Sequence, residues 1–381
     1  MFDFSKMAHN LNNYRMFSNS FLSFPCASKT TIPLPLAKVT SYQPFVSSSC
    51  DVTFNEPVLL YSHDIIENLG HTISDYMNVW LMLWLSNHTR DASSNVTILN
   101  VDSLTAGNNF NDESIFGFFT HYEKSFKRII KGKDFMNKRV CISELLIPPE
   151  PLIPFVWEGR FFETSCPTFG PSTLFQRWNI HVRKSYQFIN EINSDAVRHH
   201  TDQSDNFNIV HYPHRLNVLI IQRTKGKHEK HDDNNRRIGN LDEIMNDLGT
   251  IESASLNIVA YDLGKIPFED QMRVIANSSI IIGIHGAGIS SSLHMSIGSP
   301  FCCGVIEMFS SFGSEFREYQ FYSNSIRKMG IHYSRMDYNP ANRNHVPMQQ
   351  LHAEVERMVD RVLGKPSCVH PSVVDDLYFD Q

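Results

Sequence analysis

The sequence predicts an α/β fold of two doubly wound domains. Short apolar, β-branched runs alternate with helix-length segments in both halves of the chain, the pattern of βαβ units and parallel sheets. A length of 381 residues accommodates two domains at roughly 100–200 residues each. The residues best suited to chemistry are His71 with Asp75, Arg223, the glycine turn at 283–288 and Glu307, and all fall just past the ends of expected strands. In open α/β sheets that is where ligands bind.

The elements follow in order. Residues 1–55, rich in Ser, Asn, Phe and Pro, have no period and read as an irregular lead-in. A strand is expected at 57–61. A helix at 72–85 follows, capped by Thr72 and apolar around most of its circumference (Ile73, Tyr76, Met77, Trp80, Leu83). Strands at 95–101 and 140–147 bracket 113–128, which reads as a helix. Pro148 and Pro149 stop the third strand, a Pro- and aromatic-rich loop runs to 171, and 172–192 has a helical period. The polar, aperiodic stretch 193–213 is the linker.

The second half reads as strand 216–221, a charged loop 224–236, a helix 241–248 capped by Asn240, and strand 257–261. A helix then runs from Pro267, at its first position, to 277. Strand 279–284, a turn through Gly283, Gly286 and Gly288, a short helix from near Ala287, and a strand ending in Glu307 come next. Helix 315–329, strand 331–335 and the amphipathic helix 349–363 complete the chain. The domains are therefore 1–55 lead-in, 56–210 first α/β domain, 211–345 second α/β domain, and 346–381 C-terminal helix and tail.

Composition narrows the function. Apolar content of 41% and charged content of 19% are those of a globular chain. A net charge of −6 gives no basic footprint for nucleic acid. The longest strongly apolar run, 79–85, is far short of the ~20 residues a membrane span needs, and the first residues lack an apolar leader core. Neither signal peptide nor anchor is expected in the chain as given. The seven cysteines form no C-x-x-C pair, which disfavours a zinc ribbon or a thioredoxin-type site and leaves the redox compartment open. Sequons at Asn87, Asn95 and Asn277 permit a secretory location without requiring one.

No P-loop, H-E-x-x-H or G-x-S-x-G motif occurs. Gly283-Ile-His285-Gly286-Ala287-Gly288 is the reverse of the dinucleotide spacing G-x-G-x-x-G, so it argues weakly for NAD, although Glu307 follows at about the distance of a ribose-binding acid. A helix starting at Ala287 aims amide groups and the positive dipole end at whatever lies above the strand, an anion cradle. Arg223, with Arg236 or Arg237, offers fixed forks for phosphate oxygens, His285 a donor to a leaving phosphate, and Glu307 an acceptor for ribose hydroxyls. His71 and Asp75 lie four apart, on one face at a helix start, where Asp75 can act as a general base. The absence of any D-x-D triplet favours a metal-free mechanism, with leaving-group charge met by Arg, His and helix dipole. Each group has a plainer reading: a core histidine, a surface arginine, a carboxylate at a helix start.

Taken together, Glu67-Asn-Leu-Gly-His71-Thr-Ile-Ser-Asp75-Tyr, Arg223 with Arg237-Ile-Gly-Asn240, and the H-G-A-G run at 285–288 resemble glycosyltransferase family 61, as does the closing Met329-Gly330-Ile-His-Tyr333. The E-N-x-x-H-x-x-x-D form is most similar to the core β-1,2-xylosyltransferase branch; the family also includes N-acetylglucosamine-transferring members. The resemblance spans about 57–335. It implies a GT-B-like fold, two Rossmann-like domains facing across a cleft, with the acceptor on 56–210 and the donor on 211–345. It further implies inverting transfer of xylose or N-acetylglucosamine from a UDP-sugar to a glycoprotein glycan or protein hydroxyl, in the Golgi or ER lumen, with no cofactor and no metal. The sites it implies are Asp75 and His71 for catalysis, and Arg223, Arg237, His285, Gly286, Ala287, Gly288 and Glu307 for the nucleotide sugar. The chain departs from the family pattern in a longer 223–237 loop, Ile289-Ser290 after H-G-A-G, and an insertion at 301–303. The rival readings are an NAD(P)-type dinucleotide enzyme and a non-catalytic glycan-binding descendant of the fold.

Overall fold

The computed structural model describes residues 2–3, 50–61, most of 73–83, 96–100, 126–135, 138–146, 173–185, 215–223, 237–297, 302–310, 321–338 and 344–364. The chain divides into two compact units, Met1–Pro154 with Phe162–Pro167, and Phe155–Phe161 with Thr168–Gln381.

In the first unit, β3 (Val58–Tyr61), β4 (Val96–Asn100), β5 (Phe126–Lys131) and β7 (Leu145–Leu146) form a parallel sheet in the order β5-β4-β3-β7. β1 (Phe2–Asp3), β2 (Val52–Phe54) and β6 (Arg139–Ile142) form a second sheet, order β1-β6-β2, and a Cys50–Cys141 disulfide ties the start of β2 to β6. Three expectations change. The lead-in 1–55, read as irregular, contributes β1 and β2, whose backbone groups pair with β6. The single strand at 140–147 breaks at Ser143-Glu144 into β6 and β7, which pair in different sheets. Residues 126–128, read as the end of a helix, are strand: the buried β4 presents an open edge, and parallel pairing there overrides a weak local preference. The helical residues Ile73, Tyr76, Met77, Trp80 and Leu83 are buried as their spacing predicts. Its proposed cap Thr72, the pair His71 and Asp75, and the linker 193–213 lie outside the described residues.

The described strands of the second unit form one parallel sheet. Its strands are β8 (Arg215–Ile221), β9 (Ser255–Tyr261), β10 (Ile280–Ile284), β11 (Gly304–Ser310) and β12 (His332–Tyr338). Their spatial order, β9-β8-β10-β11-β12, is the doubly wound 2-1-3-4-5 arrangement. Helices α2 (Leu241–Leu248), α3 (Phe268–Ala276), α4 (Ala287–Ser290) and α5 (Phe321–Lys328) make the four crossovers, and α6 (Met348–Leu363) follows β12. Both faces are covered: Val218, Ile220, Ile280, Ile282 and Ile306 pack with α2 and α6, while the alternating Leu219, Ile281 and Val305 are equally buried on the other side. The C-terminal helix is thus part of this domain's core. A side chain at Gly304 would overlap the Met358 thioether, so glycine there lets α6 lie on β11.

Helix α1 (Thr173–Ser185), which the sequence assigns to 56–210, packs in this second unit. Its buried face carries polar hooks. Gln176 Nε2 donates to Met329 O (2.9 Å), Asn179 Nδ2 to Leu293 O and Met295 O (2.7 and 2.9 Å), and Arg183 to Ile297 O (2.9 Å). Helical period reveals that face but not which neighbour presents the carbonyls. Pro267 precedes α3 as its cap rather than occupying the first turn.

Asn240 also has a different task from the expected one. Its side chain makes no capping bond to α2. Instead Nδ2 donates to Val346 O and Oδ1 accepts from Val346 N, both at 2.9 Å, clamping the approach to α6 from 106 residues away. Asn240→Ala should cost roughly 2–6 kcal/mol, at about 1–3 kcal/mol for each of the two buried backbone groups left without a partner. Asn240→Ser, which preserves capping ability, should not recover it in urea unfolding; recovery would return Asn240 to a capping role.

Candidate active site at the switch point of the second sheet

Strands β8 and β10 are neighbours, and their crossovers lead to opposite edges of the sheet. A crevice opens beyond the carboxyl ends of strands at such a reversal. Ile221 pairs with Gly283, so Arg223 and His285, each two residues further on, leave the same edge at the same level. Gln222 meets the chain where it returns at Ile238: its amide oxygen accepts from Ile238 N (3.0 Å) and its Nε2 donates to Ile238 O (2.8 Å). The backbone at 222 thereby meets that at 238, and Arg223 and Arg237 depart from adjacent points. Arg223 is half-buried and Arg237 exposed. Residues 224–236 lie outside the described set.

The three glycines divide the work. Gly286 has φ 154°, a region essentially closed to other residues, and it turns the chain from β10 into α4, which begins at Ala287 as expected. Gly283 lies within β10 rather than in the turn, and a Cβ there would come 2.9 Å from Ile289 Cδ1. A Cβ on Gly288 would sit 3.1 Å from Ile221 Cγ2. These two glycines let α4 seat directly on β8 and β10, which sets the amide groups of 286–288 close over the strand ends.

Glu307 differs most from its expected role. β11 does not end there but continues to Ser310, and Glu307 is 1% exposed in mid-strand. Both carboxylate oxygens are engaged: His285 Nδ1 lies 2.6 Å from Oε1, and the Tyr333 hydroxyl donates to Oε2 at 2.7 Å. Such a carboxylate is not placed to clasp a ribose; it fixes the imidazole, with Nδ1–H donating and Nε2 the nitrogen directed away. Burial, and secondarily the Glu307 charge, push the Tyr333 hydroxyl far above the usual phenol range, which keeps it a donor. The His285 ring stacks on Phe309 (centroids 4.8 Å apart), and the Arg335 guanidinium lies 4.1 Å from the Phe309 ring while forking onto Asp337. Residue spacing alone does not reveal Tyr333, Phe309 or the Gln222 clamp. The one available signal was an acid inside an apolar run, which a buried strand must pair.

Among the described residues, no cluster of three or more His, Cys, Asp or Glu is placed to hold a metal ion. No described helix is long and apolar enough to cross a membrane. Cys302 is disulfide-bonded, while Cys303 is a buried free thiol, pushed up to about 12 by burial and donating to Ser296 O. Bridged cysteines in both units fit an oxidising compartment.

The second unit is an α/β domain whose five-stranded parallel sheet carries a glycine turn and Arg223 at its switch point. The chain belongs to glycosyltransferase family 61: the Glycosyltransferase 61 profile matches residues 69–302. It is similar to the EGF domain-specific O-linked N-acetylglucosamine transferases of Mus musculus (25% identity over 298 residues, 77% of this chain and 47% of that one) and Gallus gallus (25% over 312, 81% and 50%). The Drosophila melanogaster protein of the same name is 22% identical over 320 residues, 81% of this chain and 51% of its own. The chain thus spans about half the length of the curated relatives it matches.

His294, in the turn Ser291–His294 that continues α4, is fully buried, and burial pushes its pKa down from 6.5 to about 3. The folded ring stays neutral where an unfolded one binds a proton, so its contribution is complete above pH ~6.5 and is lost as pH falls toward 3. Below pH 6 the slope approaches about 1.4 kcal/mol per pH unit. His294→Gln should flatten the fall in urea-unfolding free energy between pH 6 and 5; an unchanged slope would show that the ring is protonated in the fold.

Proposed function

We propose that the protein is an inverting glycosyltransferase that moves a sugar from a UDP-sugar to a hydroxyl of a glycoprotein, in the lumen of the secretory pathway. The carrying observation is the convergence of Arg223, Arg237, the 286–288 turn and the Tyr333–Glu307–His285 chain on one switch point. Family membership supports the class of reaction, and the relatives' names favour N-acetylglucosamine over xylose as the sugar. In this reading the two α/β domains face across a GT-B-like cleft, and no metal is needed.

In the reaction Asp75, assisted by His71, takes the proton of the acceptor hydroxyl. The oxygen attacks the anomeric carbon as the bond to the diphosphate breaks, and configuration inverts. Arg223 and Arg237 meet the departing charge, with the amides of Gly286, Ala287 and Gly288 and with His285 Nε2. Glu307 and Tyr333 act through His285: they hold the ring by its Nδ1–H, and the doubly protonated ring, its charge balanced by Glu307, donates Nε2–H to the phosphate. The dinucleotide-enzyme reading loses its main support, since its ribose acid would be Glu307.

Calorimetric titration with UDP should show Arg223→Ala and Arg237→Ala binding about tenfold more weakly, about 1.4 kcal/mol. Asp75→Asn should abolish transfer from UDP-N-acetylglucosamine and from UDP-xylose while UDP still binds. Unchanged UDP affinity in both Arg variants, or normal turnover by Asp75→Asn, would remove those assignments, and stabilisation by NAD but not UDP would revive the rival enzyme.

The Tyr333–Glu307–His285 chain has its own test. Tyr333→Phe deletes one hydroxyl and should lower kcat by roughly tenfold with UDP affinity retained. An unchanged kcat would make the chain structural only.

A further inference from the structure

The sequon Asn277-Ser278-Ser279 lies at the end of α3. We propose that Asn277 carries an N-linked glycan, an inference that rests on the lumenal reading. Asn277 is the C-cap residue of α3 and is exposed. Its backbone is engaged, the N–H donating to Arg273 O at 3.1 Å and the carbonyl accepting from Asn217 Nδ2 at 2.9 Å. No bond involves its side-chain amide among the described residues. The neighbouring hydroxyls are occupied: Ser278 donates to Val274 O, and Ser279 Oγ accepts from Asn217 N. The main chain is therefore held and the Asn277 side chain is exposed, so a bulky substituent on Nδ2 displaces none of these contacts of the described residues. The triplet around Asn95 contrasts with it. Its Thr97 is fully buried on β4 with the hydroxyl donating to Glu56 (3.1 Å).

The donor is a lipid-linked oligosaccharide diphosphate. The bond from its anomeric carbon to the diphosphate oxygen breaks, a bond to Asn277 Nδ2 forms, Nδ2 gives up a proton, and the lipid diphosphate leaves with the electron pair. The position also protects the site described above. Asn277 precedes β10 and His285 follows it, so the five residues of that strand, about 16 Å at ~3.3 Å each, separate the glycan from the switch point at the opposite end of the sheet. It shields the amino-terminal rim, where Asn217 and Asn257 bond to each other at 3.0 Å.

The test is electrophoretic mobility of the full chain, expressed behind a secretion leader in a eukaryotic cell, before and after peptide N-glycosidase F. Asn277→Gln and Ser279→Ala should each remove one step of the enzyme-sensitive shift, Ser279→Thr should keep it, and UDP affinity should be unaltered in all three. Asn277→Gln migrating with the wild type, while the Cys50–Cys141 bridge is intact, would overturn the glycan site and leave the compartment reading standing. Free Cys50 and Cys141 thiols in protein isolated from its natural source would overturn both.

Discussion

A carboxylate in the middle of a strand buried on both faces must be paired, and the pairing of Glu307 organises the carboxyl-terminal edge of the second domain's sheet. Desolvation of an isolated charge costs several kcal/mol, so the surrounding strands have to deliver donors to both oxygens. His285 comes from the end of β10 and Tyr333 from β12, the two neighbours of β11. The acid therefore joins three adjacent strands at one level. Its second effect is chemical: a ring nitrogen tied to Glu307 leaves the other with a defined direction at the point where strand order reverses.

The glycine turn is the other half of the same construction. Only Gly286 meets a conformational demand; Gly283 and Gly288 are small because Ile289 and Ile221 press on them. A helix seated that closely starts immediately above the sheet, and its first amides share the crevice with Arg223 and His285. Packing and anion binding are thus not competing readings of these residues, because the close approach is what positions the amides. Gln222, at the end of β8, does for Arg237 what the turn does for the amides, since it pins a distant loop return against the strand end.

Much of the architecture was legible from the chain. The strands of the second domain appear as uncharged β-branched runs because a parallel sheet covered on both faces admits little else. Helices α2, α3 and α6 appear within about two residues of their observed ends because their apolar period is strong. Legibility failed where a residue serves a partner remote in sequence. Asn240 looks like a cap and clamps Val346, and α1 looks like part of the first half but hooks its amides onto Leu293, Met295 and Met329. The strand β5 was hidden by a mixed sequence that only an open sheet edge makes extended.

The sequence by itself determined the fold class, the membership of motifs such as H-G-A-G and E-N-x-x-H-x-x-x-D in one family pattern, and the place of Arg223 and His285 just beyond strands. Those properties reside in local composition and period. The tertiary structure decided what the side chains meet. Register put Tyr333 beside Glu307, strand order made β8 and β10 neighbours at a reversal, and burial turned a presumed ribose ligand into the support of His285. Register and order depend on contacts between segments tens of residues apart, and no local pattern encodes which of the possible pairings buries the most surface while satisfying every polar group.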